Sequence, residues 1–263
     1  MSIGEDAVLL FLGSLPPLLG AFLTVLMPTA VAMLGPALVR RRYTYSVLIK
    51  NNEVAGFKFA TLGVIYAVLL GFAIVSVWEK FSEAELLVLR EAGASATLYR
   101  LSSGDDPEAV ATRTKLRAYL ESVVEDEWML MASERDSRIS RAAMKALYGA
   151  TLQLADKRPL AVGVELLKEL GEMTEARRGR LYLARGVVSP ALWSMLICGA
   201  LVTIGFTYFF AMENLRAQTA MTGALALIIF LGLFVIISYD HPFTGAVSVE
   251  ASPIRGLISD MDT

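Results

Sequence analysis

The sequence predicts an all-α integral membrane protein with four transmembrane helices and a helical insert between the second and third. Three observations carry that reading. Only 19% of the 263 residues are charged and mean hydropathy is +0.55, against about 25% charged residues in an ordinary soluble domain. The charges are also crowded, 35 of 50 lying between Glu79 and Ser189. Outside that stretch are four uncharged runs, Ala7 to Val39, Phe59 to Trp78, Gly186 to Met212 and Ala217 to Tyr239. Each is long enough to cross a hydrocarbon core of about 30 Å, which takes about 20 helical residues. A net charge of -2 without a basic tail excludes the electrostatic footprint of a nucleic-acid binder. One cysteine, Cys198, and one histidine, His241, exclude an intrachain disulfide framework and a His/Cys metal site. No cofactor is indicated.

The first run would rise roughly 50 Å as one straight helix, so it should be broken. Pro16 and Pro17 suit a first helical turn and Pro28 a kink. The expectation is a short N-terminal segment, then a span over 17–39. Glu5 and Asp6 replace a positive leader region and Arg40, Arg41 and Arg42 form a stop-transfer flank, which argues against a cleaved signal peptide. The second span is placed at 59–78, so residues 1–78 hold the first two spans. Trp78 ends the second span and Trp193 opens the third. With Tyr239 at the end of the fourth, they are expected as interface anchors, where amphipathic rings are favoured.

Residues 79–189 are expected as a charged domain of about four helices. The first continues the second span from Glu79 to Leu101 and stops at Ser102-Ser103-Gly104. The second opens with Asp106 as N-cap, Pro107 at N1 and Glu108 in the first turn. It carries Leu116, Leu120, Val123 and Val124 on one stripe up to Trp128. The third runs from about Ser137 to Lys157 before Pro159. The fourth leads from Leu160 through Arg185 into the third span. Such helices could form an antiparallel bundle or a stalk. Residues 190–239 hold the third and fourth spans and 240–263 a C-terminal tail, in which Val247-Ser248-Val249 alternates like a short strand. The short loops hold Arg40, Arg41, Arg42, Lys50, Lys58 and Arg216. The positive-inside rule therefore favours a cytoplasmic first loop and a helical domain outside the cytoplasm, in the cell (inner) membrane.

The spans contain no Asp, Glu, Lys, Arg or His, which disfavours a proton-driven carrier. The second span carries a row of small residues, Gly56, Ala60, Gly63, Ala67 and Gly71, on one helix face. Such a row either packs tightly on another helix or faces a pore, and Gly63, Tyr66, Ala67, Gly71 and Phe72 are the candidates for one role or the other. Gly199, Thr203, Thr207 and Ala211 repeat the pattern on the third span, with packing favoured. Glu125-Asp126-Glu127 beside Trp128 could hold a divalent cation, but adjacent helical carboxylates diverge, so a solvated or salt-bridged face is expected. Arg177, Arg178, Arg180 and Arg185 are expected to anchor lipid headgroups. His241, between Asp240 and Pro242, reads as a helix-end cap or interface residue, and Cys198 as an inert buried thiol. There is no nucleophile elbow, phosphate loop or H-E-x-x-H, and an enzyme is not expected.

Asn52-Glu53-Val54-Ala55-Gly56-Phe57, Leu62 to Phe72 and Val77-Trp78-Glu79 together resemble a bacterial membrane-protein family with a bestrophin-like domain. Glu91-Ala92, Leu98-Tyr99-Arg100, Glu127-Trp128, Leu192-Trp193 and the motif Asp240-His241-Pro242-Phe243-Thr244-Gly245 match it as well. The resemblance covers roughly 40–250. Bestrophins imply an oligomeric, usually pentameric, ion channel whose second span lines a narrow neck and whose middle segment forms a helical domain. In them that domain is cytosolic, opposite to the charge tally. The chain departs from them in its Pro-Phe-Thr-Gly and in lacking an acidic calcium clasp, so calcium gating does not carry over. The leading expectation is a homo-oligomer in the lipid bilayer that passes inorganic ions or small solutes near the second span. The alternative is a membrane-anchored sensory or scaffold protein whose helical domain binds a ligand or partner.

Overall fold

The computed structural model describes residues 15–245 and 247–262, so the expected N-terminal segment lies outside the described residues. All regular structure there is helical. Four helices are long and apolar enough to cross a membrane: α1 (Leu18–Arg42), α2 (Asn52–Leu101), α6 (Pro190–Thr207) and α7 (Leu215–Asp240). Between α2 and α6 in sequence lie α3 (Pro107–Ser122), α4 (Arg138–Lys157) and α5 (Leu160–Leu183), and α8 (Ser252–Asp260) follows α7. The chain divides into two compact units, residues 1–79 with 187–240 and residues 80–186 with 241–263.

In the first unit, α1 packs along α7, and α6 also contacts α7. Prolines shape α1 twice. Over Phe22–Leu26 the helix widens so that the Met27 N–H reaches the Phe22 carbonyl, just before Pro28, whose ring crowds the preceding turn. A second irregularity at Met33-Leu34 precedes Gly35-Pro36. Beyond it the helix carries on to Arg42 instead of ending at Val39. Gly35 is needed there for close approach, because a Cβ would sit 2.2 Å from the ring of Tyr208. The core consists of Tyr66, Ala73 and Val77 of α2 with Trp193, Leu196 and Ala200 of α6 and Ala226, Ile229 and Ile236 of α7.

The helix α2 is unbroken for 50 residues, about 75 Å at 1.5 Å per residue, and starts seven residues before the expected span. It ends at Leu101, as the Ser-Ser-Gly run predicts. In the second unit the buried side chains Phe81, Ala84, Val88, Glu91, Ser95 and Leu98 recur at alternating steps of three and four, with Ala92 and Ala94 buried beside them. Helix α3 opens as the sequence predicts, with the Asp106 carboxylate accepting the Ala109 N–H at 3.1 Å. It then widens over Val123–Glu127, where the Trp128 N–H reaches the Val123 carbonyl, and continues to Met131. Ser137 caps α4 through the Ser140 N–H at 3.0 Å. Helix α4 packs on α3 and α5, and α8 touches α3.

Two expectations are corrected. Helix α5 does not run on into α6. The chain turns at Gly186, whose φ of 77° suits glycine, and α6 begins afresh with Ser189 as N-cap and Pro190 in its first turn. The Val247-Ser248-Val249 alternation forms no strand among the described residues. Val249 instead donates its N–H to the Pro242 carbonyl at 2.7 Å, and the short helix α8 follows.

Candidate functional site

Within the first unit, α2 turns one face inward and leaves another open. Tyr66 is on the inward face, its hydroxyl donating to the Leu196 carbonyl at 3.1 Å. Its ring lies so close to Gly199 that a Cβ there would meet it at 2.5 Å, so the Gly199 row packs as expected. Thr203 is buried, and Thr207 meets Thr222 at 3.3 Å. The open face carries the other small-residue row. Ala67 and Gly71 are exposed, and no described residue lies within 4 Å of a Cβ built at Gly63 or Gly71. Around them Val64, Val68 and Phe72 are exposed, Phe72 to 72%. Among the described residues, then, no helix of this chain packs on the row at Gly63 or Gly71.

The interface tryptophans part company. Trp78 is 58% exposed, whereas Trp193 is 6% exposed. The indole of Trp193 is drawn inward because its N–H donates to Asp240 Oδ2 at 3.3 Å, and Tyr239 is half-buried. Asp240 Oδ1 also accepts the N–H groups of Val187 and Val188 at 2.9 and 2.8 Å. One carboxylate thus gathers three donors around the start of α6, where a helix N-terminus favours negative charge. Cys198 lies on the surface of the apolar helix α6.

The rest of the terminal motif belongs to the second unit. His241 Nε2 lies 3.3 Å from Glu134 Oε1, and Phe243 meets Trp128 edge-on at 5.6 Å. Thr244 donates its N–H to the His241 carbonyl at 3.0 Å and its hydroxyl to the Ala132 carbonyl at 3.3 Å. Gly245 takes a φ of 84°. These contacts build a turn in which Pro242 both ends the helix and accepts from Val249.

A buried charge cluster in this unit was not foreseen. The wide turn at Val123–Glu127 buries the last member of the acidic triplet, so of the solvated or salt-bridged alternatives Glu127 takes the second, fully buried. Arg180 is fully buried and Arg177 nearly so, which corrects their reading as headgroup anchors; Arg178 and Arg185 are exposed. Arg180 Nε donates to Glu91 Oε2 at 2.9 Å and its Nη2 to Glu127 Oε2 at 3.0 Å. Arg177 forks onto Glu127, with Nε to Oε2 at 3.1 Å and Nη2 to Oε1. The Tyr119 hydroxyl donates to Glu91, and the Arg180 guanidinium lies 5.0 Å from the Trp128 ring centre. Two carboxylates and two guanidiniums balance, which is the condition under which buried charge is tolerated. Burial, and then the neighbouring Glu91 carboxylate, hold the Tyr119 phenol well above its ordinary pKa. Burial opposes the Arg180 charge, but Glu91, Tyr119 and Glu127 outweigh it and raise its pKa above the usual guanidinium value. The signal was present in the sequence, because Glu91, Arg177 and Arg180 occupy core positions of otherwise apolar helical stripes. No group of His, Cys, Asp and Glu suited to a metal ion occurs among the described residues.

These features define a class: an all-helical membrane-type protein whose charged helices intervene between its second and third apolar ones. The Bestrophin-like domain model matches residues 26–254, and the chain belongs to that family. It is similar to a single-substitution variant of a bacterial bestrophin homolog from Klebsiella pneumoniae, at 15% identity and TM-score 0.70, over 90% of this chain and 99% of that one. A structure of the same homolog phased on zinc gives 15% identity and TM-score 0.70, over 90% and 96%. A crystal structure of a membrane protein matches at 16% identity and TM-score 0.70, over 90% and 96%. At such identity the likeness is one of fold. No curated protein matches the chain.

Proposed function

We propose that this protein is a homo-oligomeric membrane channel that passes inorganic ions or small solutes along a pore beside the open face of α2. The observation that carries the reading is that face itself. It is uncharged from Phe59 to Trp78, has small residues at Gly63, Ala67 and Gly71, and finds no partner at Gly63 or Gly71 among the described residues. An exposed apolar helix face of this length meets lipid, another copy or a lumen, and the small residues leave room for a passage between copies. Family membership supports the same reading, since bestrophins are oligomeric channels.

In this reading α1, α2, α6 and α7 cross the inner membrane and residues 80–186 form the helical domain between the second and third spans. The charge tally places that domain outside the cytoplasm. Trp78 sits at the domain-side interface, and the turn from His241 to Gly245 fixes the tail beyond the fourth span. No step of this function calls for catalysis or a cofactor.

The test is flux from proteoliposomes holding the purified protein, with cation and anion gradients applied separately. Selective flux that is lost or reduced at least tenfold in Gly71→Leu, with membrane insertion and oligomer size unchanged, is the expected result. Flux unchanged across Gly63→Leu, Ala67→Leu and Gly71→Leu overturns the pore assignment. No flux above empty liposomes from a folded oligomer overturns the channel.

A further inference from the structure

A second recess lies within the first unit, at the end of the apolar helices opposite Trp78. It is a cleft of about 450 Å³ between the first two turns of α2, the end of α6 and the first turns of α7, a size that suits a small molecule. Phe59, Phe210, Met221 and Leu225 are among the side chains that line it. Phe59 stacks on Phe206 at 5.9 Å and meets Phe210 edge-on at 5.5 Å, so the aromatic wall is held in place. No lining residue carries a charge.

Most polar groups of the cleft are already engaged. Asn52 donates to the Ala211 carbonyl at 2.6 Å and accepts the Ala211 N–H at 3.0 Å. Thr207 donates to the Ile204 carbonyl at 2.6 Å, so Thr222 is the donor between the two threonines. The Gln218 amide donates to the Phe210 carbonyl. Its carbonyl oxygen has no hydrogen-bond partner although the residue is only 3% exposed. A buried acceptor left unmet is unusual enough to require a partner. Gln218 Oε1 is thus a buried acceptor that calls for a donor. No lining residue offers a countercharge, so an ion finds nothing here to offset its desolvation.

We infer that this cleft binds a neutral apolar molecule bearing a hydroxyl, which it donates to the Gln218 carbonyl while its body packs on Phe59 and Phe210. The hydroxyl is either that of a bilayer lipid or that of a small alcohol from the aqueous phase. The inference does not depend on the channel reading, because its readout is binding.

The test is photolabelling of the full-length, purified oligomer with a diazirine-bearing benzyl alcohol, followed by peptide mass spectrometry. The expected label falls on the segments holding Phe59, Phe210 and Met221. It is competed by unlabelled benzyl alcohol and reduced at least tenfold when the probe lacks its hydroxyl. Gln218→Leu should reduce labelling to a similar degree. Gly56→Leu, where an added Cβ has ordinary room 3.8 Å from Phe210, keeps every hydrogen bond and should block labelling by filling the cleft. Repeating the experiment in hydroxyl-bearing phosphatidylglycerol nanodiscs separates the sources: label lost there identifies a lipid occupant, and label retained identifies an aqueous one. Equal labelling by the hydroxyl-free probe, labelling insensitive to both variants, or no labelling of these segments in the detergent-purified oligomer overturns the inference. The last outcome includes the case in which a neighbouring copy fills the cleft.

Discussion

The two compact units make their interiors unique by opposite means. In the first, close contact is won by removing atoms: glycine at 35 and 199 admits a tyrosine ring from another helix. In the second, contact is specified by charge, with Glu91, Glu127, Arg177 and Arg180 locked together away from water. Where lipid surrounds the helices, apolar burial gives little drive to associate, and packing of small residues takes its place. Where water surrounds the helices, apolar stripes already drive association, and a paired charge contributes register more than stability. One helix, α2, obeys both rules in turn along its length.

The largest effect should come from unbalancing the charge cluster. Glu127→Leu leaves two guanidiniums facing one carboxylate, and a loss of about 3–5 kcal/mol is expected in denaturant unfolding of the helical unit. Glu91→Met combined with Arg180→Met leaves Glu127 paired with Arg177, and should cost less than the sum of the two single changes. Simple additivity would show that the four groups do not act as one cluster.

Next in size is the carboxylate in the first unit. Asp240→Ala strips an acceptor from the N–H groups of Val187, Val188 and the Trp193 indole, and about 2–3 kcal/mol should be lost. A thermal midpoint equal to that of the parent protein would show that these donors find substitutes.

A smaller effect separates the two glycine rows by the same substitution. Gly199→Ala drives a methyl into the Tyr66 ring and should cost about 1–2 kcal/mol. Gly71→Ala meets nothing among the described residues and should leave the fold within about 0.5 kcal/mol. Equal losses would mean that the Gly71 face is packed as tightly as the Gly199 face.

The smallest effects are those of pH on the second unit. Contact with Lys157 holds Glu108 below its usual pKa. For Asp106, loss of hydration acts upward, but the Ala109 N–H and Arg158 outweigh it and its pKa is also lowered. Depressed carboxylates contribute stability above their unfolded pKa of about 4 and lose it as pH falls through the folded values. Tyr119 is raised, so its share is intact below about pH 10 and is lost as pH climbs toward the folded value. Unfolding midpoints should form a plateau bounded by these two limbs, the acid limb shallower in Asp106→Asn.

Much of the fold was legible because membrane helices and capped helices both announce themselves in one dimension. Asp106-Pro107 and Ser137 gave their helix starts outright, and the uncharged runs found all four long apolar helices. The break at Gly186 was hidden inside one of those runs, since a charge-free stretch says nothing about backbone conformation. Among site residues, Tyr66 and Gly199 were noticed separately, but their contact is tertiary and could not be read from either helix. A salt-bridged Glu127 was legible but its burial was not, because the triplet was judged on ideal helical spacing and the wide turn at Val123–Glu127 changes that spacing. Arg177 and Arg180 were misread because sequence gives the charge of a residue near a span without showing whether a carboxylate waits for it. The cleft at Gln218 left no trace in any motif.

The charge cluster also constrains how this chain can have changed over time. A substitution at any one of positions 91, 127, 177 or 180 strands a partner, so the viable route between two sequences passes through paired exchanges. Among relatives these four positions should then behave as a single inherited character, kept whole or replaced whole, while the exposed Arg178 and Arg185 beside them drift independently.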